Sequence, residues 1–213
     1  MLNGFIVKKG EMSGHFTPEG KRISLTVLQA EPLVVTQIKK VDSKDGYSAI
    51  QLAYGQAKHL NPSSTAKLKK LKLEKIKPYG YVEFKPESSE ITVGQEIKID
   101  QVFKVGDSLM ASGLSKGHGF QGVVKRHGFH RQGVTGGQSD RTRAPGSIGA
   151  QTPGKVVKGK RMPGHMGHKI ATILNLKIVK LDPEKNLIYI QGSLPGHKNS
   201  WLTLTKTKLW TKQ

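Results

Sequence analysis

The 213-residue sequence predicts a mainly β protein: a closed or nearly closed antiparallel barrel, with one long irregular Gly/Lys/Arg-rich segment inserted between two of its strands. Three observations predict it. Apolar residues alternate with polar ones in short runs divided by turn residues. No long segment carries clean helical periodicity. Finally, 55 consecutive residues, Leu114 to His168, hold 13 of the 25 Gly and show no apolar period of either kind.

The strands come in order at about residues 4–8, 21–30, 33–41, 48–54, 90–99, 108–112, 170–181, 187–194 and 201–207. In the second, Ile23, Leu25 and Val27 alternate with Ser24 and Thr26, the period-two signature of a half-buried strand. Asp42-Ser43-Lys44-Asp45-Gly46 supplies a turn after the third. In 170–181, Leu174, Leu176 and Ile178 share one face, with Asn175 and Lys177 on the other. Asp182-Pro183-Glu184-Lys185-Asn186 then turns the chain, and Trp201 to Thr205 alternates again. Closing such strands on themselves removes exposed edges. The globular domain is therefore 1–113 plus 169–213, with a Lys-rich insertion at about 61–90. Within that insertion, Lys67 to Lys77 carries six Lys interleaved with Leu68, Leu71, Leu73 and Ile76. It reads equally as a solvated helix face or as a nucleic-acid contact.

Charge bounds the partners. Thirty-five Lys and Arg against 15 Asp and Glu give +20, which points to nucleic acid first and an anionic membrane surface second. Apolar runs such as Leu33-Val34-Val35 fall far short of the roughly 18 residues of a membrane-spanning helix. Lys8 and Lys9 come after the first apolar residues, the reverse of a secretory signal. The absence of Cys excludes disulfides, thiolate zinc sites and Cys nucleophiles together. A soluble intracellular protein is the expectation.

The insertion 114–168 carries +9 of that charge, from Lys116, Lys125, Arg126, Arg131, Arg141, Arg143, Lys155, Lys158, Lys160 and Arg161 against Asp140 alone. It also holds His118, His127, His130, His165 and His168. Such a composition cannot bury its own core. Run out and back, its arms reach about 80–90 Å at most. Gly permits close backbone approach to a polyanion and the cations neutralise phosphates; a disordered basic linker is the plain alternative.

Local motifs argue against catalysis. Gly117-His118-Gly119-Phe120-Gln121-Gly122 spells a dinucleotide fingerprint, but Gly128 arrives too soon for a proper helix. Gly154 to Lys160 approximates a phosphate-binding loop, with Arg161 where a Ser or Thr would meet magnesium. His127/His130 and His165/His168 have ligand-like spacing among cations that repel a metal, so no metal or other cofactor is expected. Asp140 has no partner carboxylate, and Ser139 beside it has no evident base. Asn61-Pro62-Ser63 fails as a glycosylation site because of its Pro.

Four blocks in order carry a resemblance: Ser115-Lys116-Gly117-x-Gly119-Phe120-x-Gly122, Val124 to Phe129, Arg143-Ala144-Pro145-Gly146-Ser147-Ile148-Gly149, and Pro153-Gly154-Lys155-Val156-x-Lys158-Gly159-Lys160-Arg161-Met162-x-Gly164-His165-Met166-Gly167. With Lys44 to Leu52 and Leu187 to Gly196, they resemble the bacterial-type large-subunit ribosomal protein L-three family. The resemblance implies a translation-protein-type β-barrel and no enzymatic activity. It implies a loop that threads rRNA towards the peptidyl transferase centre, and binding near the 3′ end of large-subunit rRNA that nucleates assembly. It also implies the cytoplasmic ribosome as location, and the large-subunit proteins L-fourteen and L-nineteen as neighbours. Carried onto this chain, Lys116, Lys125, Arg126, His127, Arg131, Arg141, Arg143, Lys155, Lys158, Lys160, Arg161 and His165 would meet rRNA. Ile148, Gly149, Ala150, Gln151 and Thr152 would form the loop tip, with Gln151 at the place that some members N5-methylate. The tip is one residue shorter than in some relatives, and His118 stands where the family usually has Lys. A non-ribosomal RNA-binding barrel, regulatory or chaperone-like, is the competing reading.

Overall fold

Residues 2–42, 45–86, 91–138 and 140–207 are described by the computed structural model. Their elements run β1 (Gly4–Phe16), β2 (Arg22–Gln29), β3 (Leu33–Lys39), β4 (Ala49–Tyr54), α1 (Pro62–Lys70), β5 (Gly80–Phe84), β6 (Glu96–Ile97), a 3-10 turn (Ile99–Gln101), β7 (Ser108–Leu114), β8 (Gly119–Gln121), α2 (Val123–His127), β9 (Gly164–Met166), β10 (Ile170–Asp182), β11 (Leu187–Gln191) and β12 (Trp201–Lys206). Ser43 and Lys44 of the first turn, Ser139, and residues 87–90, including the start of the expected strand 90–99, lie outside the described residues.

The chain divides into two compact units. One comprises Met1–Leu114 and Ile170–Gln213, the other Ser115–Lys169. In the first, six strands pair antiparallel in the ring β1-β12-β7-β10-β11-β2, a closed barrel. Alternation builds it: Leu202 and Leu204 of β12 are buried while Trp201 and Thr203 are half-covered. Phe5, Val7, Leu28, Leu109, Ala111, Ile188 and Ile190 complete an interior that is at most 1% exposed at each residue. Each of the larger of these side chains, Ala111 apart, is worth about 1.5–3 kcal/mol relative to exposure. Thr26 of β2 is a fully buried polar residue of this ring, and its hydroxyl donates to the Gly192 carbonyl at 2.6 Å.

Three expectations need correction. The strands at 33–41, 48–54 and 90–99 are not in the ring; they form a separate sheet in the order β5-β4-β3-β6. Alternation fixes which face a strand buries, not which neighbour it chooses. The start of β3, Leu33 to Thr36, is covered on both faces, and its Leu33 and Val35 belong to the same core cluster as the ring. Among the described residues of 90–99, only Glu96 and Ile97 are strand: Gly94 (φ +90) turns the chain, and its N–H donates to Val35 O at 2.8 Å. Leu174 does not share the buried face of Leu176 and Ile178. The β7–β10 register shifts between Ile173 and Leu176, Asn175 adopts φ +57, and Leu174 is left 59% exposed.

Helices occur where no helical period was legible. Pro62 starts α1 at a position that needs no amide hydrogen, with Asn61 before it, so the failed glycosylation triplet marks a helix entrance. Leu68 alone is buried along α1, too little to print a period. Lys67 to Lys70 are thus helical, and Leu71 to Lys77 continue in turns. β1 runs on to Phe16, and β5 is unanticipated. On the small sheet, Lys39 donates to Tyr47 Oη at 2.6 Å and meets Glu83 at 2.9 Å, while Tyr47 Oη donates to Glu83 at 2.7 Å. These contacts hold the Glu83 carboxyl below its ordinary range, Tyr47 first and Lys39 second.

Candidate nucleic-acid interface

The unit Ser115–Lys169 is tied at its ends and bare in its middle. At the ends, the Ser115 N–H donates to Lys169 O at 2.9 Å and the His118 N–H to Met166 O at 2.9 Å. β8 and β9 then pair Gly119 with Met166, Phe120 with His165 and Gln121 with Gly164. Gly167 makes this joint possible: it has φ +77, and a Cβ there would lie 2.0 Å from Lys116 O.

One turn further in, α2 closes the joint. The expectation that no helix fits before Gly128 is corrected: five residues form one, and Gly128 caps it in the left-handed conformation at φ +70. The glycines still do not open a dinucleotide fold, since β8 pairs antiparallel with β9. Val123 is 2% exposed, the one buried apolar residue of this unit among those described. Arg126 and His127 converge on a single acceptor. Arg126 Nη1 donates to Met162 O at 2.6 Å, and His127 Nε2 lies 3.1 Å from the same oxygen. Gly164 leaves room for the guanidinium, because a Cβ there would approach Arg126 Nη1 to 2.7 Å. The sequence reads Arg126 as a cation for a polyanion and, by the resemblance, His127 as a second rRNA contact; both are half-buried and bind the two arms of the segment together.

Beyond the joint the chain is nearly all surface. Every residue from 143 to 161 is exposed. Its local order is turn hydrogen bonding, such as Gly154 N–H to Gln151 O at 3.0 Å and Lys160 N–H to Val157 O at 3.2 Å. Lys116, Lys125, Arg131, Arg141, Arg143, Lys155, Lys158, Lys160, Arg161 and His165 are all exposed, as are Ile148, Gly149, Ala150, Gln151 and Thr152. Nothing lies within 4 Å of where a Gly149 Cβ would sit. Gly154 to Arg161 has neither a strand before it nor a helix after it, so it is not a nucleotide cradle.

Apolar side chains share this exposure: Phe120 at 75%, Val134 and Val157 at 67% each. Cations with interspersed bare apolar groups suit a partner that offers phosphates and stackable bases together. The clamp formed by Arg126 and His127 escaped sequence reasoning. Their position just before a capping Gly was the available signal, since the last turn of a helix faces whatever the helix closes upon.

Comparison with known proteins gives one answer. The family described as Ribosomal protein L3 matches residues 80–186. Large ribosomal subunit protein uL3 of Dehalococcoides mccartyi is 42% identical over 97% of this chain and 99% of its own length. The protein of the same name from Brachyspira hyodysenteriae is 47% identical over 95% and 93%. That from Herpetosiphon aurantiacus is 42% identical over the whole of both chains.

Proposed function

The chain belongs to the ribosomal protein L3 family, and from that premise we propose that Ser115–Lys169 is an rRNA-penetrating extension of a translation-protein-type barrel. The protein is a structural constituent of the large ribosomal subunit and not an enzyme; its place is the cytoplasmic ribosome, and its partners are rRNA and other large-subunit proteins. In the finer reading it binds large-subunit rRNA near the 3′ end, nucleates assembly, and carries its loop towards the peptidyl transferase centre. L-fourteen and L-nineteen are its proposed neighbours.

One observation supports this most: the uninterrupted exposure of 143–161, a stretch with cations and no acid and no core of its own. Within it the residues divide by chemistry. Lys155, Lys158, Lys160 and Arg161 neutralise phosphates. Ile148 to Thr152 bear no charge, and Gln151 offers an amide donor and acceptor suited to positioning, or to N5-methylation. Arg126 and His127 act first on the protein, holding the arms in register.

Sedimentation tests the reading. The chain should travel with large subunits through a high-salt wash. Binding to an rRNA fragment should lose affinity with a log–log salt slope of about −4 to −9, for roughly six to ten phosphates neutralised. Lys155, Lys158 and Lys160 changed together to Glu should prevent incorporation. Gly149→Trp, placed in open space, should enter subunits and alter peptide transfer. A tip variant that stays out of subunits while the charge reversal assembles would overturn this division.

A further inference from the structure

Tyr54, Tyr79 and Trp201 form an aromatic cluster in the unit that holds the ring. The Tyr54 and Trp201 centroids are 4.9 Å apart at 66°, and Tyr79 stacks on Trp201 at 5.9 Å and 30°. Their cover differs. Tyr54 and Trp201 are half-buried against the core, whereas Tyr79 is 62% exposed. Tyr79 is nevertheless held in place. Its N–H donates to Tyr54 O at 2.9 Å, and the Ala57 N–H donates to Lys77 O at 2.7 Å, so two segments are laced together behind the ring. Gly55 (φ +67) leaves space for the stack: a Cβ there would lie 2.7 Å from the Trp201 ring and 3.0 Å from Tyr79 Cβ.

The same two segments carry exposed Lys58, Lys75 and Lys77. Lys75, Lys77 and Gln56 line a pocket of about 420 Å³ that reaches Tyr54 and Gly55, with Glu31 as its one acid. An ordered aromatic face in water, backed by an indole and carried on a segment with exposed lysines two and four residues before it, matches the parts of an unpaired nucleotide. The base stacks on the ring and the adjoining phosphates meet the lysines. A paired helix keeps its base faces to itself and cannot use the ring.

We propose that Tyr79, backed by Trp201, is a stacking platform for one unpaired RNA nucleotide whose flanking phosphates are held by Lys75 and Lys77. The inference rests on the reading of this chain as an rRNA-bound protein and adds a second contact surface, separate from 143–161.

The test uses the full chain with a labelled single-stranded uridine oligomer of about twelve nucleotides and an RNA duplex of equal length. Tyr79→Ala should weaken the single strand about fivefold or more and leave the duplex within about twofold, and Tyr79→Phe should bind like the parent. Should Tyr79→Ala shift the melting temperature, Lys75→Glu with Lys77→Glu decides, since these exposed side chains leave the stack intact. That pair should weaken the single strand more than the duplex. Unchanged single-strand affinity in the deciding variant, or equal loss for both RNAs, overturns the platform. The parent chain is separately sedimented with large subunits: its absence there overturns the ribosomal reading, whereas its presence with no effect of Tyr79→Ala on the oligomer overturns the platform alone.

Discussion

Leu204 of β12 and Val157 of the inserted unit are both aliphatic, yet one is fully buried and the other 67% exposed. The difference lies in their neighbours. Leu204 is flanked by Thr203 and Thr205 and paired with Phe5 on β1 and Ala111 on β7, so alternation and pairing together give it an interior. Val157 stands between Val156 and Lys158 in a stretch with no strand partner. Apolar chemistry makes a core only where a periodic backbone points it inwards. In the ring, therefore, a substitution acts on stability; in 143–161 it acts on whatever the segment meets.

The largest expected effect separates these two roles. Leu204→Ala should cost about 2–5 kcal/mol in urea unfolding, from lost transfer energy and the cavity left behind. Val157→Ala should stay within about 0.5 kcal/mol. Comparable losses would break the comparison. Next comes the joint, where the inserted unit has a structure of its own. Gly167→Ala forces a Cβ onto Lys116 O at a left-handed φ, a strain of about 1–3 kcal/mol. Amide exchange should quicken at Ser115 and His118 while Leu28 and Ile190 keep their protection. Spread of the effect into the ring would show that the units are one cooperative body.

The smallest effect concerns acid. Glu83 titrates below its ordinary value, so its contribution is present above that value and is lost as pH falls through the lowered one. Acidification through the carboxylate range should loosen the small sheet, as read from the exchange of the Val82 and Phe84 amides, and Glu83→Gln should remove this dependence.

The legibility of the fold in the sequence divides along the same contrast. The ring strands at 21–30, 108–112, 187–194 and 201–207 were visible because each buries one face against several neighbours, which is what alternation records. The inserted unit was visible by the lack of any pattern. The small sheet's separateness was not, because Leu33 to Thr36 is covered on both faces and carries no period. α1 was hidden for the opposite reason, with a single buried residue. Tyr79 was missed because a Tyr between Pro78 and Gly80 reads as a turn until Trp201, 122 positions later, is seen beneath it. Cations were found by type, but the clamp of Arg126 and His127 onto one carbonyl needed coordinates.

Leu114 and Ile170 are directly paired on β7 and β10, so the chain leaves and re-enters the first unit at one rung of one ladder. The geometry of that exit is the same for a tight turn as for 55 residues. Each doubling of an unstructured loop adds only about 0.6 kcal/mol of closure entropy. The segment's length is then nearly neutral for the fold that carries it. It is free to be lengthened, trimmed or exchanged over generations, and selection on its size can come wholly from the surface it has to reach.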